Sequence, residues 1–280
     1  MTLQEADSIR AVREVRVTED IVVKIACRTE AGVKASWSSC GSGGVLWDAA
    51  HVLNDLLLAY PQFVEGKRLI ELGAGQGLCG LLAHRLKADE VLLTDSVPDV
   101  VDILQESASL AQQITSVPGR IHAAILDWED EVKAEHKPCT SDQFEVVLSS
   151  DVVYAVEHAE LVAAVVARRL AESAEARSIM VMRIRGAMWQ MMEHGSPVYL
   201  VEKLLAEMRN HGLGVQAVPL DTPNDCVEKE HAPSVSTEGL AGFKDALLNP
   251  QDQDPFDSEF APEEGSFVAI LSWRKHSEAA

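Results

Sequence analysis

A glycine-rich turn between a strand and a helix constrains the fold of this chain more than any other feature. Residues 67–72 (KRLIEL) form a short apolar run, which is typical of a buried strand. Residues 73–77 (GAGQG) follow at once, and residues 78–88 (LCGLLAHRLKA) then show helical character. Glycines let the main chain turn sharply and let a ligand approach the amides at the start of a helix. This order predicts the opening of a βαβ unit with a ligand on the turn.

Strand and helix patterns continue to alternate after this unit. We predict further strands in the runs VLLTD, RIHAAILDW, FEVVLSS, SIMVMRI, GVQAV and SFVAILSW, with helical patterns between most of them. Such alternation is typical of a mostly parallel sheet with helices on both faces. The sequence therefore predicts an α/β fold with a Rossmann-like, seven-stranded sheet.

The chain divides into an N-terminal extension and one main domain. Residues 1–42 are predicted to be a β extension, because the run VRVTEDIVVKI indicates a strand or hairpin. Residues 43–280 form the main domain, which starts with a helix over residues 48–60 capped by Asp48. Residues 221–264 are rich in Pro, Asp, Glu and Ser and carry roughly half of the net charge. We expect a long acidic loop, partly disordered, which is either a solvated insertion or an electrostatic guide for a basic substrate.

Charge and cysteine content exclude several classes of function. A formal net charge of -20 disfavours nucleic acid and anionic membranes as partners, because phosphate groups bind clusters of Lys and Arg. A protein partner with a basic or lysine-bearing surface suits it better. The five cysteines contain no CxxC pair, so neither a metal site nor a disulfide framework is indicated. No apolar run reaches the roughly 18 residues of a membrane span. We expect a monomer in the cytosol or the nucleus.

The glycine turn is compatible with two kinds of nucleotide ligand. Gly75, Gly77 and Gly80 satisfy the GxGxxG spacing of dinucleotide-binding proteins, and Asp95 lies at about the right distance to hold ribose hydroxyls. Glu71, two residues before the first glycine, is a poor neighbour for a pyrophosphate. It is a favourable one for S-adenosylmethionine, whose sulfonium and ammonium groups are cationic. Glu71 therefore favours this methyl donor, unless it only bonds to backbone amides as a strand-end acid.

Several motifs together resemble one enzyme family. The runs GGVLWDAAHVLNDLL, ELGAGQGLCG, LLTD, LDW and SSDVVY are similar to the seven-strand protein lysine methyltransferases, the nicotinamide N-methyltransferase-like group. The resemblance covers residues 43–157 well and the rest only as an arrangement of elements. It implies a class I methyltransferase fold whose last strand is antiparallel, with S-adenosylmethionine as the cofactor. The helix after Asp95 lacks the asparagines of related sequences, and the acidic insertion is unusually long.

The resemblance also assigns residues to the cofactor. Asp95 is implied to bind both ribose hydroxyls and Trp128 to cover the adenine ring, while the carboxylate of Asp127 or the main chain near it can meet the exocyclic amine. Trp47 is implied to contact the methionine part, although it could instead close the first helix on the sheet. Ser150 is implied to contact the cofactor from the end of a strand. The complete set of predicted cofactor residues is Trp47, Glu71, Gly73, Ala74, Gly75, Gly77, Asp95, Asp127, Trp128 and Ser150.

Asp151 and Tyr154 are the predicted catalytic residues. They form the D-V-V-Y run just after a central strand, where α/β sheets place their ligands, and in the resembling family this motif faces the substrate. We expect them to position a lysine amine of a protein, with Asp151 orienting the nitrogen; arginine stays open as the acceptor. Other interpretations are a small-molecule N-methyltransferase, a cofactor-fold module without catalysis and, more distantly, an NAD-dependent oxidoreductase.

Overall fold

The structure is a computed structural model that describes residues 10–28, 41–114, 116–134, 142–222, 235–252 and 264–275. Its strands are β1 (Arg10–Arg16), β2 (Val22–Arg28), β3 (Arg68–Leu72), β4 (Glu90–Asp95), β5 (Arg120–Ile125), β6 (Val146–Ser150), β7 (Arg177–Arg183), β8 (Leu213–Leu220) and β9 (Phe267–Arg274). Its α-helices are α1 (Asp48–Ala59), α2 (Leu78–Arg85), α3 (Pro98–Gln112), α4 (Trp128–Lys133), α5 (Val156–Arg169), α6 (Ala187–His194), α7 (Tyr199–Asn210) and α8 (Thr237–Leu248). Short 3-10 turns span Gly41–Gly44 and Pro61–Phe63.

Seven strands form one sheet in the order β5-β4-β3-β6-β7-β9-β8. Strand β3 pairs in parallel with β4 on one side and with β6 on the other. Strand β9 is antiparallel to both of its neighbours, β7 and β8. The predicted sheet and its antiparallel last strand are confirmed. The chain moves outward from β3 to β5 and then returns to β6, so the strand order reverses between β3 and β6. Ligands of α/β proteins bind beside the carboxyl ends of strands at such a reversal.

Apolar residues of both sheet faces are covered by helices, as predicted. On one face, Leu53 of α1, Leu81 of α2 and Leu104 of α3 belong to a single buried cluster. On the other face, Val162 of α5 and Leu204 of α7 belong to a second cluster. Burial on both faces explains why the central strands read as continuous apolar runs rather than as alternating ones.

The N-terminal residues form a β-hairpin, which confirms the predicted strand or hairpin. Strands β1 and β2 pair antiparallel and make a separate two-stranded sheet. Val23 and Ile25 are buried in the same cluster as α1, α2 and α3. The main-chain amide of Ala26 donates to the hydroxyl of Ser107 on α3 at 2.9 Å. The hairpin is therefore packed onto the helical layer of the main domain.

Helix α8 corrects the prediction of a continuous loop over residues 221–264. Ser236 caps its first turn by accepting from the Gly239 amide at 3.0 Å. Phe243 is 1% exposed, and its ring lies 6.1 Å from that of Tyr60 at the end of α1. The Tyr60 hydroxyl donates to the Leu240 carbonyl at 2.8 Å. This part of the acidic segment packs on the domain, whereas residues 223–234 and 253–263 lie outside the described part.

Three other local features differ from the sequence prediction. Strand β5 ends at Ile125, so Asp127 and Trp128 begin α4 instead of ending the strand. Helix α6 was not predicted at all. Asp48 is the first residue of α1, and Trp47 occupies the N-cap position in its place. Within the described ranges, no helix is long and apolar enough to cross a membrane.

Candidate functional site

The glycine turn after β3 has the backbone that its sequence predicted. Gly73, Gly75 and Gly77 have φ values of 61, 54 and 74°, a region that residues with a side chain rarely adopt. A Cβ atom on Gly77 would also lie 2.6 Å from Cδ2 of Leu104. The Ala74 amide donates to the Thr94 carbonyl at 2.8 Å, which ties the turn to the end of β4. Glycine is thus required here by both conformation and space.

Glu71, in β3, is buried at the base of this turn. Its Oε2 accepts a hydrogen bond from the Gly80 amide in the first turn of α2 at 2.8 Å. Burial raises the pKa of this carboxyl to about 8, although the Gly80 hydrogen bond opposes the rise. The structure places Glu71 beside the turn, with its carboxylate bonded to a backbone amide. Its contact with the cationic groups of a methyl donor stays a prediction.

Asp95 lies at the carboxyl end of β4, next to the glycine turn. Its Oδ2 accepts from the Gly75 amide and its Oδ1 from the Val97 amide, both at 3.1 Å. Partial burial raises the pKa of Asp95, while these amide hydrogen bonds oppose the rise. The carboxylate is therefore held in a fixed orientation beside the turn. This is the position from which a strand-end acid binds a ribose diol.

Trp128 and Asp127 lie on the other side of the turn. A Cβ atom on Gly73 would be 3.3 Å from Cζ2 of Trp128, so the indole packs directly against the glycine backbone. Asp127 caps α4, and its Oδ1 accepts from the Glu129 amide at 2.9 Å and from the Asp130 amide at 3.1 Å. The structure brings Trp128 to the predicted pocket, whereas the carboxylate of Asp127 already holds a helix end.

The segment before α1 covers the glycine turn. A Cβ atom on Gly75 would lie 3.2 Å from the Gly43 carbonyl oxygen. The Gln76 side chain donates to the Gly44 carbonyl at 2.7 Å. Trp47 is held by a hydrogen bond of 3.1 Å from its Nε1 to the Ser42 carbonyl. Sequence analysis missed Gln76, whose only signal was a polar side chain between two glycines of the turn.

Asp151 lies immediately after β6, across β3 from Asp95. Its φ of 57° is unusual for a residue with a side chain. Its Oδ2 is 2.5 Å from Nη1 of Arg185, and its Oδ1 accepts from the Arg183 amide at 3.4 Å. Burial raises the pKa of Asp151, and the charge of Arg185 opposes the rise. Ser150, directly before Asp151, is the last residue of β6 and is partly buried.

Tyr154 stands at the rim of the site and is 63% exposed. Its ring meets that of His158 edge to face, with centroids 4.3 Å apart. The His158 ring is in turn 6.2 Å from the Trp128 ring. This row of rings connects the predicted substrate side, at Tyr154, with the predicted adenine side, at Trp128.

Two arginines complete the site, Arg183 at the end of β7 and Arg185 just after it, and sequence analysis missed both. The Arg185 guanidinium carbon lies 5.0 Å from the centroid of the Trp47 ring, which is a cation–π distance. Arg183 pairs with Asp48 at 2.7 Å. The sequence signal was the RIRG run at a strand end, where α/β folds place functional side chains.

Helix α6 presents an exposed apolar surface directly after these arginines. Met188, Met191 and Met192 lie at helical spacing on one face, and Met192 is 79% exposed. The opposite face carries the buried Gln190, whose side chain donates to the Arg185 carbonyl at 2.6 Å and accepts from the Leu200 amide at 3.1 Å. Gln190 thereby fixes both α6 and the main chain of Arg185.

Together these groups offer a cradle and a neighbouring polar site. The cradle consists of glycine backbone, a tryptophan face, the Asp95 carboxylate and the buried carboxyl of Glu71, which fits a ligand with a ribose, an adenine and cationic groups better than it fits a pyrophosphate. The neighbouring site holds Asp151 and Tyr154. Among the described residues, no group of three or more His, Cys, Asp or Glu side chains could hold a metal ion.

Comparisons with known proteins converge on one family. The family described as Lysine methyltransferase matches residues 29–194. The protein N-terminal and lysine N-methyltransferase efm7 of Emericella nidulans is 27% identical over 129 residues, covering 43% of this chain and 50% of that protein. The calmodulin-lysine N-methyltransferase of Arabidopsis thaliana is 33% identical over 112 residues, covering 39% of this chain and 34% of that protein. The chain thus spans about half or less of the length of these curated relatives.

A solved structure shares the fold. The Thermus thermophilus 16S rRNA N2 G1207 methyltransferase RsmC, solved with AdoMet and guanosine, has a TM-score of 0.50 to this chain. The alignment covers 96% of this chain and 51% of the other, at 14% identity. At this identity the likeness shows the fold alone.

Proposed function

Since this chain belongs to the lysine methyltransferase family, we propose that it transfers the methyl group of S-adenosylmethionine to an amine of a protein substrate, with lysine as the acceptor. The observation that carries the proposal is the adjacency of two sites. Strand β3 and its glycine turn are flanked by Asp95 at the end of β4 and by Asp151 after β6. Neighbouring strands are roughly 4.8 Å apart, so a donor on the turn would lie beside an acceptor at Asp151.

The residues of the cradle have distinct roles in this proposal. Asp95 would hold the ribose hydroxyls, Trp128 the adenine face and Trp47 the methionine part, while the amides of the glycine turn bound the pocket. When bound, S-adenosylmethionine supplies a methyl group on a positively charged sulfur. Asp127 caps α4, so we assign the adenine amine to the main chain near it rather than to its carboxylate.

Asp151 and Tyr154 would receive the acceptor nitrogen. Methyl transfer is an in-line displacement, so the protein mainly contributes orientation and exclusion of water. The acceptor must be neutral, and free lysine has a pKa of about 10.4, so the pocket has to favour the deprotonated amine. Asp151 is suited to accept a hydrogen bond from this amine, and the exposed Tyr154 is suited to line the entrance.

The surface beside the site supports a protein acceptor over a small amine. Helix α6 exposes methionines next to Arg185, and exposed apolar surface of this kind marks interaction sites. The net charge of -20 favours a partner with a basic surface. The proposal places the protein in the cytosol or the nucleus, since its cysteine pattern indicates no disulfide framework.

Calorimetric titration tests the cofactor part of the proposal. We titrate S-adenosylmethionine, S-adenosylhomocysteine and NAD into three proteins: the unchanged protein, Asp95→Ala and Asp89→Ala. Asp89→Ala is the control, because Asp89 is an exposed acid just before β4. We expect the two adenosyl compounds to bind with micromolar affinity to the unchanged protein and to Asp89→Ala but not to Asp95→Ala. Binding of NAD alone would contradict the proposal.

Radiolabelled methyl transfer tests the acceptor. The acceptors offered are calmodulin, a panel of basic proteins, an amino-terminal peptide and free lysine. Calmodulin and the peptide are included because one relative is named for lysine in calmodulin and another also for protein N-termini. We expect label in protein lysine, identified by mass spectrometry of the modified peptide. Label in free amines alone would instead select a small-molecule N-methyltransferase. Cofactor binding without transfer to any acceptor would select a non-catalytic module.

A further inference from the structure

Arg185 connects the two halves of the candidate site. Its Nη1 lies 2.5 Å from Oδ2 of Asp151, on the predicted acceptor side. The same guanidinium lies 5.0 Å from the ring of Trp47, on the predicted donor side. The side chain of Asp151 is 4% exposed and that of Arg185 is 40% exposed, so the arginine is the solvent-facing member of the pair. A group that enters the site from solvent therefore meets Arg185 before it reaches Asp151.

The main chain of Arg185 is fixed independently of this ion pair. The buried Gln190 donates to the Arg185 carbonyl, and the same side chain accepts from the Leu200 amide. The indole of Trp47 is also fixed, through its hydrogen bond to the Ser42 carbonyl. The guanidinium is thus confined between a held carboxylate and a held ring, which preorganises it for a function.

Stability alone does not account for this arrangement. Buried ion pairs contribute little to stability, because the desolvation of both charges offsets their attraction. Asp151 also adopts a φ of 57°, which costs roughly 1–2 kcal/mol for a residue with a side chain. Unfavourable backbone conformation and a partly buried ion pair at the same residue indicate a functional constraint.

The chemistry of the acceptor explains what Arg185 contributes. An unpaired carboxylate at Asp151 would stabilise the lysine as an ammonium ion, which has no lone pair for the attack. A carboxylate paired with arginine exerts little net field, yet its oxygens can still accept a hydrogen bond from a neutral amine. Arg183 also acts on Asp151, and Arg183 is itself paired with Asp48. Arg185 is therefore the principal cation facing Asp151 in the described part of the chain.

We propose that Arg185 is a positioning residue of methyl transfer, which neutralises and orients Asp151 so that the acceptor lysine is held in its neutral form. The inference rests on the proposed function. The ammonium loses its proton to solvent, the nitrogen lone pair then forms the new N–C bond, and the S–C bond of the donor breaks with its electron pair remaining on sulfur.

A first experiment needs no acceptor. The carboxyl resonance of Asp151, assigned with Asp151→Asn, is titrated by carbon NMR in the unchanged protein, Arg185→Lys and Arg185→Met. We expect Arg185→Met to raise the pKa of Asp151 by about one unit or more, because burial then acts without its opposing charge, and Arg185→Lys to restore most of the difference. An unchanged Asp151 pKa in Arg185→Met would overturn the proposal.

A second experiment measures kcat against pH at saturating S-adenosylmethionine, with the acceptor identified by the radiolabelled transfer assay. We expect the profile of Arg185→Met to move to higher pH by about one unit. The kcat of this variant should therefore be about tenfold lower at neutral pH and should equal that of the unchanged protein at high pH. Arg185→Lys should keep the original profile. An equal loss at every pH would indicate a merely structural role and overturn the proposal. Failure of the unchanged protein to bind S-adenosylmethionine would instead overturn the proposed function, whatever the NMR titration shows.

Discussion

The Oε2 atom of Glu71 accepts a hydrogen bond of 2.8 Å from the amide of Gly80, so the strand before the glycine turn is joined directly to the helix after it. Glu71 is 1% exposed. Hydrogen bonds from the Gly80 amide and the Cys79 side chain do not offset the desolvation of a carboxylate, and the pKa of Glu71 is accordingly raised to about 8. In the folded protein this side chain is mainly protonated at neutral pH.

The raised pKa of Glu71 predicts a pH dependence of stability. An acid whose folded pKa exceeds its unfolded value of 4.5 favours folding less as pH rises, so stability is lost between about pH 4.5 and pH 8. We expect Glu71→Gln to become more stable than the unchanged protein by a few kcal/mol at pH 9 and to show little advantage at pH 4.5, since one pKa unit corresponds to about 1.4 kcal/mol. Urea unfolding at both values measures this. An equal difference at both pH values would contradict the prediction.

Gly77 should tolerate alanine less well than another glycine of similar conformation. Gly77 and Gly212 have φ values of 74 and 78°, but a Cβ atom on Gly77 would lie 2.6 Å from Leu104 while one on Gly212 would meet nothing within 4 Å. We expect Gly212→Ala to cost roughly 1 kcal/mol of unfolding free energy and Gly77→Ala roughly 1–3 kcal/mol more. Only Gly77→Ala should also weaken S-adenosylmethionine binding in calorimetry. Equal costs would show that Leu104 moves aside freely.

The exposed methionines of α6 should matter for the protein acceptor and not for the cofactor. We expect the triple change Met188→Gln, Met191→Gln and Met192→Gln to raise the KM for the protein acceptor about tenfold, because apolar contact with the acceptor is lost. The affinity for S-adenosylmethionine should stay the same. Leu248→Gln, at an exposed apolar residue of α8, is the matched control. An unchanged KM in the triple variant would remove α6 from the acceptor surface.

Helix α8 should contribute measurably to the stability of the domain. Phe243 is buried against Tyr60, so we expect Phe243→Ala to lower the free energy of unfolding by about 3–5 kcal/mol. The neighbouring exposed Lys244→Ala should change it by less than about 0.5 kcal/mol. Chemical denaturation of the three proteins provides the comparison. A small loss for Phe243→Ala would mean that α8 packs only loosely.

Local sequence predicted the central fold because its signals are strong and short-range. The runs KRLIEL and SFVAILSW are too apolar for a surface, and the glycines at 73, 75 and 77 permit the positive φ values that residues with a side chain rarely adopt. Helix α8 was missed although Leu240, Phe243 and Leu247 recur at helical spacing after the cap Ser236, because the acidic composition around them favours a loop. Helix α6 was missed because a short helix with an exposed apolar face lacks the usual amphipathic pattern.

The candidate site was predicted in its residues more than in its contacts. The position of Asp95 beside the glycine turn follows from the end of β4, which local patterns locate. Trp128 instead reaches the turn from the start of α4. The ion pair of Asp151 with Arg185 joins residues that follow two different strands, β6 and β7, and such partners depend on side-chain directions that a single sequence does not give. The same reason explains why the sequence did not indicate that the Asp127 carboxylate caps α4.

The position of β9 sets an order on the assembly of the sheet. In the described part of the chain, β8 reaches the sheet only by pairing with β9, which lies between β7 and β8 and comes later in the sequence. During synthesis β8 therefore emerges before its partner strand exists. Its apolar residues Leu213 and Val215 can be buried in the sheet only after residues 267–274 have been synthesised and have paired with β8. A nascent chain or a fragment that stops before Phe267 would expose two unpaired strand edges, those of β7 and β8, which are templates for aggregation.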